Sequence, residues 1–566
     1  MPLVLPAHWG QRNFICFNRI TRRGTKVPEQ FPTVPARPAP APFTARDWAA
    51  LMATLVLAAI IRFAFFNGVF GSDDLVYLNR SVQISEGIWS NANYNGALRY
   101  GFNIPAGFLM YLFGINIVAT NLWPLLCSLA EIAAVYVLAR CLWDRQTALY
   151  SALVLTFMPL HVAAATRIHA DPVVACFLTL SFVFFYFAEQ TRARVLYFLT
   201  GIAMGLVFWT KEIAVVTLFA FVFYPLLWRK VESRWAYVIG GGLVMLLAHL
   251  ALMSVISGDP FHAFKVVMRQ VNKGFIQGGD VAEDGPWYYF RYLFVDIKHV
   301  WLAGILAAAS VLLVLFRGTR QISPGTAYAT FWLLTLFGIL SFMPVSLHPL
   351  KFVMKQSNYL TLFLAPMALL AGYLLAKTPK GIALAILSTT LAGGFVLAGL
   401  EQRAYNVFTS NSKAAVAFAK DNPGIPIVGS INNGNIAAAY SILNRDQVLA
   451  SRFLYMGDIP HHVVNGDDGS PVSPVFAVLD KETMGWGKNA VTLEQAPRCW
   501  EAVEHLVPAG FGLGSSLMGA MLGFIELFPD GISRRLKSPL DRVSQPRAAI
   551  IYKVNISDFW CEKNGG

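Results

Sequence analysis

Charge is scarce in this chain. Of 566 residues only 14% are charged, while 56% are hydrophobic. Mean hydropathy is +0.51. A soluble protein of this size cannot bury so much apolar surface, so the excess must face lipid. Cysteine is scarce too. Six residues, widely scattered, are too few for a disulfide scaffold. Cys127, Cys141 and Cys176 lie in apolar runs and read as core packing. No P-loop, no HExxH and no CxxC pair occurs, so nothing marks a nucleotide hydrolase, a zinc protease or a dithiol redox centre. "GFGLGSS" lacks the third glycine of a dinucleotide loop and follows a helix-like stretch rather than a strand. Acids are outnumbered by bases, 32 to 45, for a net charge of +13. The bases sit in short clusters between apolar segments. That is a topology signal, not a continuous basic face, so nucleic acid is excluded as a partner.

Apolar segments are what the chain does have. Residues 1–46 are basic and proline-rich and read as a disordered cytoplasmic tail, without the h-region of a signal peptide. Spans are expected near 47–66, 117–141, 147–166, 171–188, 195–210, 212–228, 235–256, 298–316, 326–344, 358–376 and 381–400. The predicted fold is therefore an α-helical polytopic membrane protein of about eleven spans, occupying 47–400. Arg140, Arg145, Arg192, Arg194, Arg229, Lys230, Arg317, Arg320, Lys377 and Lys380 mark one set of loops, which the positive-inside rule places in the cytoplasm. The loops 67–116, around 167–171, around 211, 257–297 and 345–357 then lie outside, as does 401–566. That last segment reads as a small α/β domain. "IPIVGSI", "SPVFAVLD" and "AAIIYKVNI" look like strands, "SKAAVAFAKD" and "RCWEAVEHLV" like helices. In an oxidising compartment its Cys499 and Cys561 are candidates for a bridge, with two separate thiols as the alternative.

Charged residues gather at the outer ends of the spans. "FFNGVFGSDDLVYLNRS" puts Asp73 and Asp74 at the exit of the first span, at the head of an amphipathic helix. Helix capping is the bland explanation. "ATRIHADPVV" crowds Arg167, His169 and Asp171 into one turn, "WTKEIA" adds Lys211 and Glu212, and "LHPLKFVMKQSNYL" adds Lys351 and Lys355. Ionisable groups at membrane depth raise a functional hypothesis. Acids and cations from separate loops on one face suit a site that needs a carboxylate base and a cradle for an anion. His161, His169 and His348 show no metal-ligand spacing. No cofactor is indicated, although the acids could in principle hold one divalent ion.

These motifs resemble those of the GT-C membrane glycosyltransferases, in particular the protein O-mannosyltransferases and the lipid A aminoarabinose transferases. The acidic pair followed by Tyr77 resembles the family's first-loop signature. "ALYSALVLTFMPLHVAAATRIHADPVVACFLTLSFVFFYF", "GIAMGLVFWTKEIAVV", "EDGPWYYFRYLF" and "KQSNYLTLFLAP" are similar to later segments, in the same order. The resemblance covers about 47–376. It implies an inverting transferase that takes a sugar from a polyprenyl-phosphate donor to a hydroxyl of a lipid, glycan or protein, in a bacterial inner membrane with the site facing the periplasm. Carried over, Asp73 is the general base, with Asp74 and Asp171 as further catalytic acids. Lys355, Lys211, Arg99 and Tyr359 bind the donor phosphate. Asp74 stands where Glu is common, and Asn358 where relatives carry Arg or Thr. A transporter or flippase of lipid-linked sugars, or a non-catalytic scaffold, is the alternative. No internal repeat of the transporter kind is visible.

Overall fold

The computed structural model describes residues 42–229, 231–271, 285–317, 323–348, 350–459, 474–486, 493, 495–507, 512–556 and 559–560. Each expected apolar segment coincides with helical structure. Among the described residues, seven helices are long and apolar enough to cross a bilayer: Ala45–Ala64, Ile117–Leu142, Asp171–Thr191, Ser233–Ser257, Pro324–Phe342, Ser357–Lys377 and Lys380–Asp421. Arg145–Phe157 and Pro159–Ala165 make a further, broken span bent by 62°. Pro159 explains the break: it has no N–H to give the preceding turn, and its ring clashes with it. Arg62 reaches the break from the first helix, donating to Thr156 O at 3.4 Å and to Ala58 O at 3.0 Å. Arg194–Thr210, Ala214–Trp228 and Leu302–Phe316 are shorter apolar helices at the remaining expected positions.

The first helix fixes the two ends of the bundle. Thr44 and Asp47 form a capping box at its start. Asp47 also pairs with Arg140 at 3.1 Å and lies 3.8 Å from Arg145, so these two arginines, both expected on the cytoplasmic side, share one end with the start of the first helix. The opposite end leads into loop 67–116. There the chain forms the helices Asp73–Ser85 and Tyr100–Phe113, with a short 3-10 turn Asn95–Leu98 between them. Tyr77, Leu78 and Val82 of the first are buried, as its amphipathic pattern requires. Gly107 lets the pair touch, because a Cβ there would lie 2.7 Å from Ser81 O. β1 (Pro344–Leu347) and β2 (Leu350–Phe352) form an antiparallel hairpin at the same end.

The boundary expected at 400/401 falls inside one helix. Lys380–Asp421 runs unbroken for 42 residues. At 1.5 Å per residue that is about 60 Å, twice a bilayer core, so its second half rises out of the membrane. Above it, β3 (Ile427–Gly429), β4 (Phe453–Tyr455), β5 (Pro474–Asp480), β6 (Glu501–His505) and β7 (Ala549–Asn555) form a sheet in the order β4-β3-β5-β7-β6. β3 is parallel to β4 and β5, and β7 is antiparallel to β5 and β6. The three strands and the 412–421 helix expected here are present. "RCWEAVEHLV", expected as a helix, carries β6 instead. Its helix-forming residues are overridden by pairing with β7, and β6 is exposed throughout as a charged edge strand. Cys499 is disulfide-bonded. Cys561 lies outside the described residues.

The C-terminal region grips the first loop. Asn432 and Asn435, on helix Ile431–Asn444, donate to Phe70 O at 2.8 Å and Gly71 O at 2.9 Å. Tyr405, on the long helix, donates to Gly68 O at 2.9 Å. The turn that presents the acidic pair is thus held from above as well as from the bundle.

Candidate active site

Loop 67–116 supplies the first side chains. Helix Asp73–Ser85 begins at Ser72, whose side chain makes no capping bond. Asp74 instead ties down the turn before the helix. Its carboxylate accepts N–H bonds from Phe70 at 2.6 Å, Gly71 at 3.1 Å and Ser72 at 2.5 Å. Burial pushes its pKa up, and the three N–H bonds oppose that rise. Asp74, expected among the catalytic acids, is committed through both oxygens to the backbone of the turn.

Asp73 is placed differently. It is exposed at the helix start, where the Tyr94 hydroxyl donates to its Oδ1 at 3.0 Å. Burial, and next the Asp73 charge, push the Tyr94 phenol up to about 12. Tyr94 therefore keeps its proton and remains a donor at neutral pH.

One turn along the same helix, buried Tyr77 meets Arg99, which donates to its hydroxyl. Arg99 also grips Glu212 with two bonds, Nε to Oε2 at 3.1 Å and Nη2 to Oε1 at 2.9 Å. Asn95 adds a third bond to Glu212 at 2.8 Å. Burial alone would raise the Glu212 pKa, but Arg99 and then Lys211 hold it below the usual carboxylate range. The contact between these distant segments depends on Gly101. A Cβ there would lie 2.3 Å from Thr210 Oγ1, so only glycine lets the first loop close onto the chain just before Lys211.

At Lys211 the chain turns extended, which ends the helix Arg194–Thr210 and points the lysine inward. Its Nζ donates to Asp171 Oδ1 at 2.7 Å and sits 4.6 Å from the centroid of the Tyr359 ring. Burial lowers the Lys211 pKa, and Asp171 opposes that fall. Asp171, the first residue of its helix, also pairs with His169. His169 Nε2 lies 3.3 Å from Asn358 Nδ2. Asp171, Lys211, Arg99 and Tyr359, expected from sequence, are thus drawn into one contiguous layer, and Asp73 joins it through helix Asp73–Ser85. Lys355 is close in sequence to Asn358 and Tyr359. It is buried, and its Nζ donates to Val353 O at 2.6 Å.

Two consequences follow for the anion cradle. Arg99 is neutralised by half-buried Glu212 and Lys211 by buried Asp171, so neither is the bare cation the sequence suggests. Arg99 uses three N–H groups on Glu212 and Tyr77, which leaves two of its five donors for a ligand. Glu212 was noted beside Lys211 in the sequence but given no role, and Tyr94 was not singled out. The adjacent acid and base of "TKE" were the signal for Glu212; nothing local marked Tyr94. His161 is a core histidine, bound to Arg62 at 2.6 Å and Glu131 at 3.2 Å, while His348 is exposed. Among the described residues no group of three or more His, Cys, Asp or Glu is placed to hold a metal ion.

Comparison with known proteins adds the lineage. Residues 104–253 match the family described as dolichyl-phosphate-mannose-protein mannosyltransferase. That stretch contains Asp171, Lys211 and Glu212. The undecaprenyl phosphate-alpha-4-amino-4-deoxy-L-arabinose arabinosyl transferase 2 of Proteus mirabilis is 28% identical over 211 residues, 35% of this chain and 37% of the relative. The corresponding transferase of Yersinia enterocolitica is 25% identical over 225 residues, 37% of this chain and 38% of the relative. The match thus spans well under half the length of these curated relatives. The structure of ArnT from Cupriavidus metallidurans in the apo state superposes with a TM-score of 0.52 at 16% identity, covering 77% of this chain and 93% of that one. The same protein bound to undecaprenyl phosphate gives the same values for TM-score and identity. Fold and matched segment agree: the chain has the GT-C fold of membrane glycosyltransferases, and its residues 104–253 are similar to the dolichyl-phosphate-mannose-protein mannosyltransferase family.

Proposed function

We propose that this chain is an inverting glycosyltransferase that moves a sugar from a polyprenyl-phosphate donor to a hydroxyl acceptor at the outer membrane surface. The observation that carries the reading is the placement of Asp73. It is an exposed carboxylate, oriented by Tyr94, beside a layer of half-buried Arg99 and Glu212 and buried Lys211 and Asp171 built from three separate segments. The layer lies at the end of the bundle opposite Asp47, Arg140 and Arg145, which supports an outward-facing site. The names of the relatives, which specify undecaprenyl and dolichyl phosphates, support the donor class.

The chemistry is a single displacement. The acceptor oxygen attacks the anomeric carbon, and its proton passes to Asp73. The bond from that carbon to the phosphate oxygen breaks, and polyprenyl phosphate leaves with the electron pair. Lys355 and the two remaining donors of Arg99 stabilise the charge that develops on it. Lys211 is a positioning residue: paired with Asp171 and stacked on Tyr359, it ties the segment after Lys355 to the start of helix Asp171–Thr191. The test is turnover by purified protein in detergent with a panel of labelled polyprenyl-phosphate sugars and a membrane-extract acceptor pool. Release of polyprenyl phosphate with labelled product supports the reading. Transbilayer movement of the intact donor in proteoliposomes without cleavage contradicts it and favours a flippase.

A further inference from the structure

We infer that the helical hairpin Gly512–Ile525/Asp530–Ser544, within the segment expected to be extramembrane, inserts into the outer leaflet and takes anionic lipid headgroups as its partner. The first helix is apolar along its length. It packs on the long helix where that helix leaves the expected bilayer, and it runs back down it. Gly514 lies level with Gly399 and Gln402, where a Cβ would come 3.0 Å from Gly399 O. Three residues on, Leu517 packs into the cluster of Ile61, Phe65, Val162 and Ala398 at the membrane end of the bundle. A Cβ on Gly399 would meet its Cδ1 at 2.5 Å. The helix therefore heads toward the membrane, and Ile525 lies about 12 Å further along it than Leu517.

Arg403 fixes both arms at the collar just above the span. It donates to Ser515 Oγ at 2.6 Å, to Val543 O at 3.1 Å and to Ser544 O. Below that anchor the hairpin leaves large apolar side chains uncovered: Phe524 is 62% exposed, Leu527 80% and Ile532 50%. Water is a poor partner for such a patch at this depth, and lipid is a good one. The second arm is amphipathic. Ile532 and Leu536 fall one turn apart on one face, and exposed Arg534 and Arg535 on another. Lys537 pairs with Glu526 at 2.7 Å, while Arg534 and Arg535 are exposed. Arg534 and Arg535 lie about as far from Arg403 as Ile525 does, so apolar and basic side chains reach the leaflet at one level, as in an interfacial helix that meets lipid phosphates.

The test uses the full chain reconstituted in phosphatidylcholine vesicles with and without phosphatidylglycerol, exposed to a bilayer-confined photoactivated carbene probe, with labelled peptides mapped. The expected result is labelling of 513–528 comparable to the lipid-facing span Ser233–Ser257, with β7 unlabelled. Arg534→Glu with Arg535→Glu should lower labelling of 513–528 at least about twofold in phosphatidylglycerol vesicles. The label on Ser233–Ser257 stays constant and reports a folded bundle. Labelling of 513–528 no higher than that of β7 overturns the insertion, as does capture of a second copy by a photo-crosslinker at position 524 in place of lipid. Equal labelling of the parent chain in both vesicle types, or of parent and double variant in phosphatidylglycerol vesicles, overturns the headgroup contact.

Discussion

Lys211 and Asp171 are joined by a 2.7 Å ion pair, forty residues apart in sequence and both almost fully buried. A buried pair adds little over a well-packed apolar one, but removing one partner leaves an unpaired charge. Asp171→Asn and Lys211→Met should each cost about 3–5 kcal/mol of stability. The double variant should recover much of that loss in thermal unfolding in detergent while turnover stays low. Additive losses would show that the two residues act separately.

Asp74 and Asp73 are neighbours with different work, and their variants should separate. Asp74→Asn replaces one carboxylate oxygen by an amide that cannot accept the N–H bonds of the turn. Its expected effect is lower thermal stability, by about 1–3 kcal/mol, with activity falling in parallel. Unchanged melting with lost turnover would instead put Asp74 in the chemistry.

Lys355→Ala should weaken both donor binding and turnover. A charge-assisted contact to phosphate is worth about 1.5–3 kcal/mol, or roughly ten- to a hundred-fold. Donor affinity measured on the intact protein separates the two effects. Equal affinity would remove Lys355 from the phosphate site and move attention to Arg99.

Cys499 is disulfide-bonded. Trp500 donates to Phe559 O at 2.7 Å and packs on its ring, which brings the two ends of the domain together. Non-reducing peptide mapping of protein from native membranes is expected to recover Cys499 linked to Cys561. Such a closed loop stabilises by about 4 kcal/mol in the chain-entropy view. Freely alkylated thiols at both positions would contradict the bridge and the oxidising side assigned to this domain.

The bundle was legible because long apolar runs have few ways to fold in lipid, and helix Asp73–Ser85 because its period of apolar residues is plain. Which of two adjacent acids would turn inward was not legible. That depends on three backbone N–H groups gathered by the turn at 70–72, a geometry no side-chain pattern announces. The cations at Arg99 and Lys211 were legible as residues, but their neutralisation by Glu212 and Asp171 was not, since each bond joins segments separated by forty residues or more. β6 was misread because its residues favour a helix locally and only the pairing with β7 makes a strand. The continuity of Lys380–Asp421 was hidden by the change of composition at its middle, which marks the membrane surface rather than an end of the helix.

The central claim rests on Asp73 as the base that takes the acceptor proton. The most direct measurement is single-turnover sugar transfer by Asp73→Asn, with donor binding followed on the same preparation. The substitution keeps the size of the side chain and an oxygen for Tyr94. Transfer is predicted to fall by about a hundred-fold or more, the range for loss of a general base, while donor affinity and thermal stability stay within a few-fold and a few degrees of the parent. Transfer at the parental rate would contradict the account.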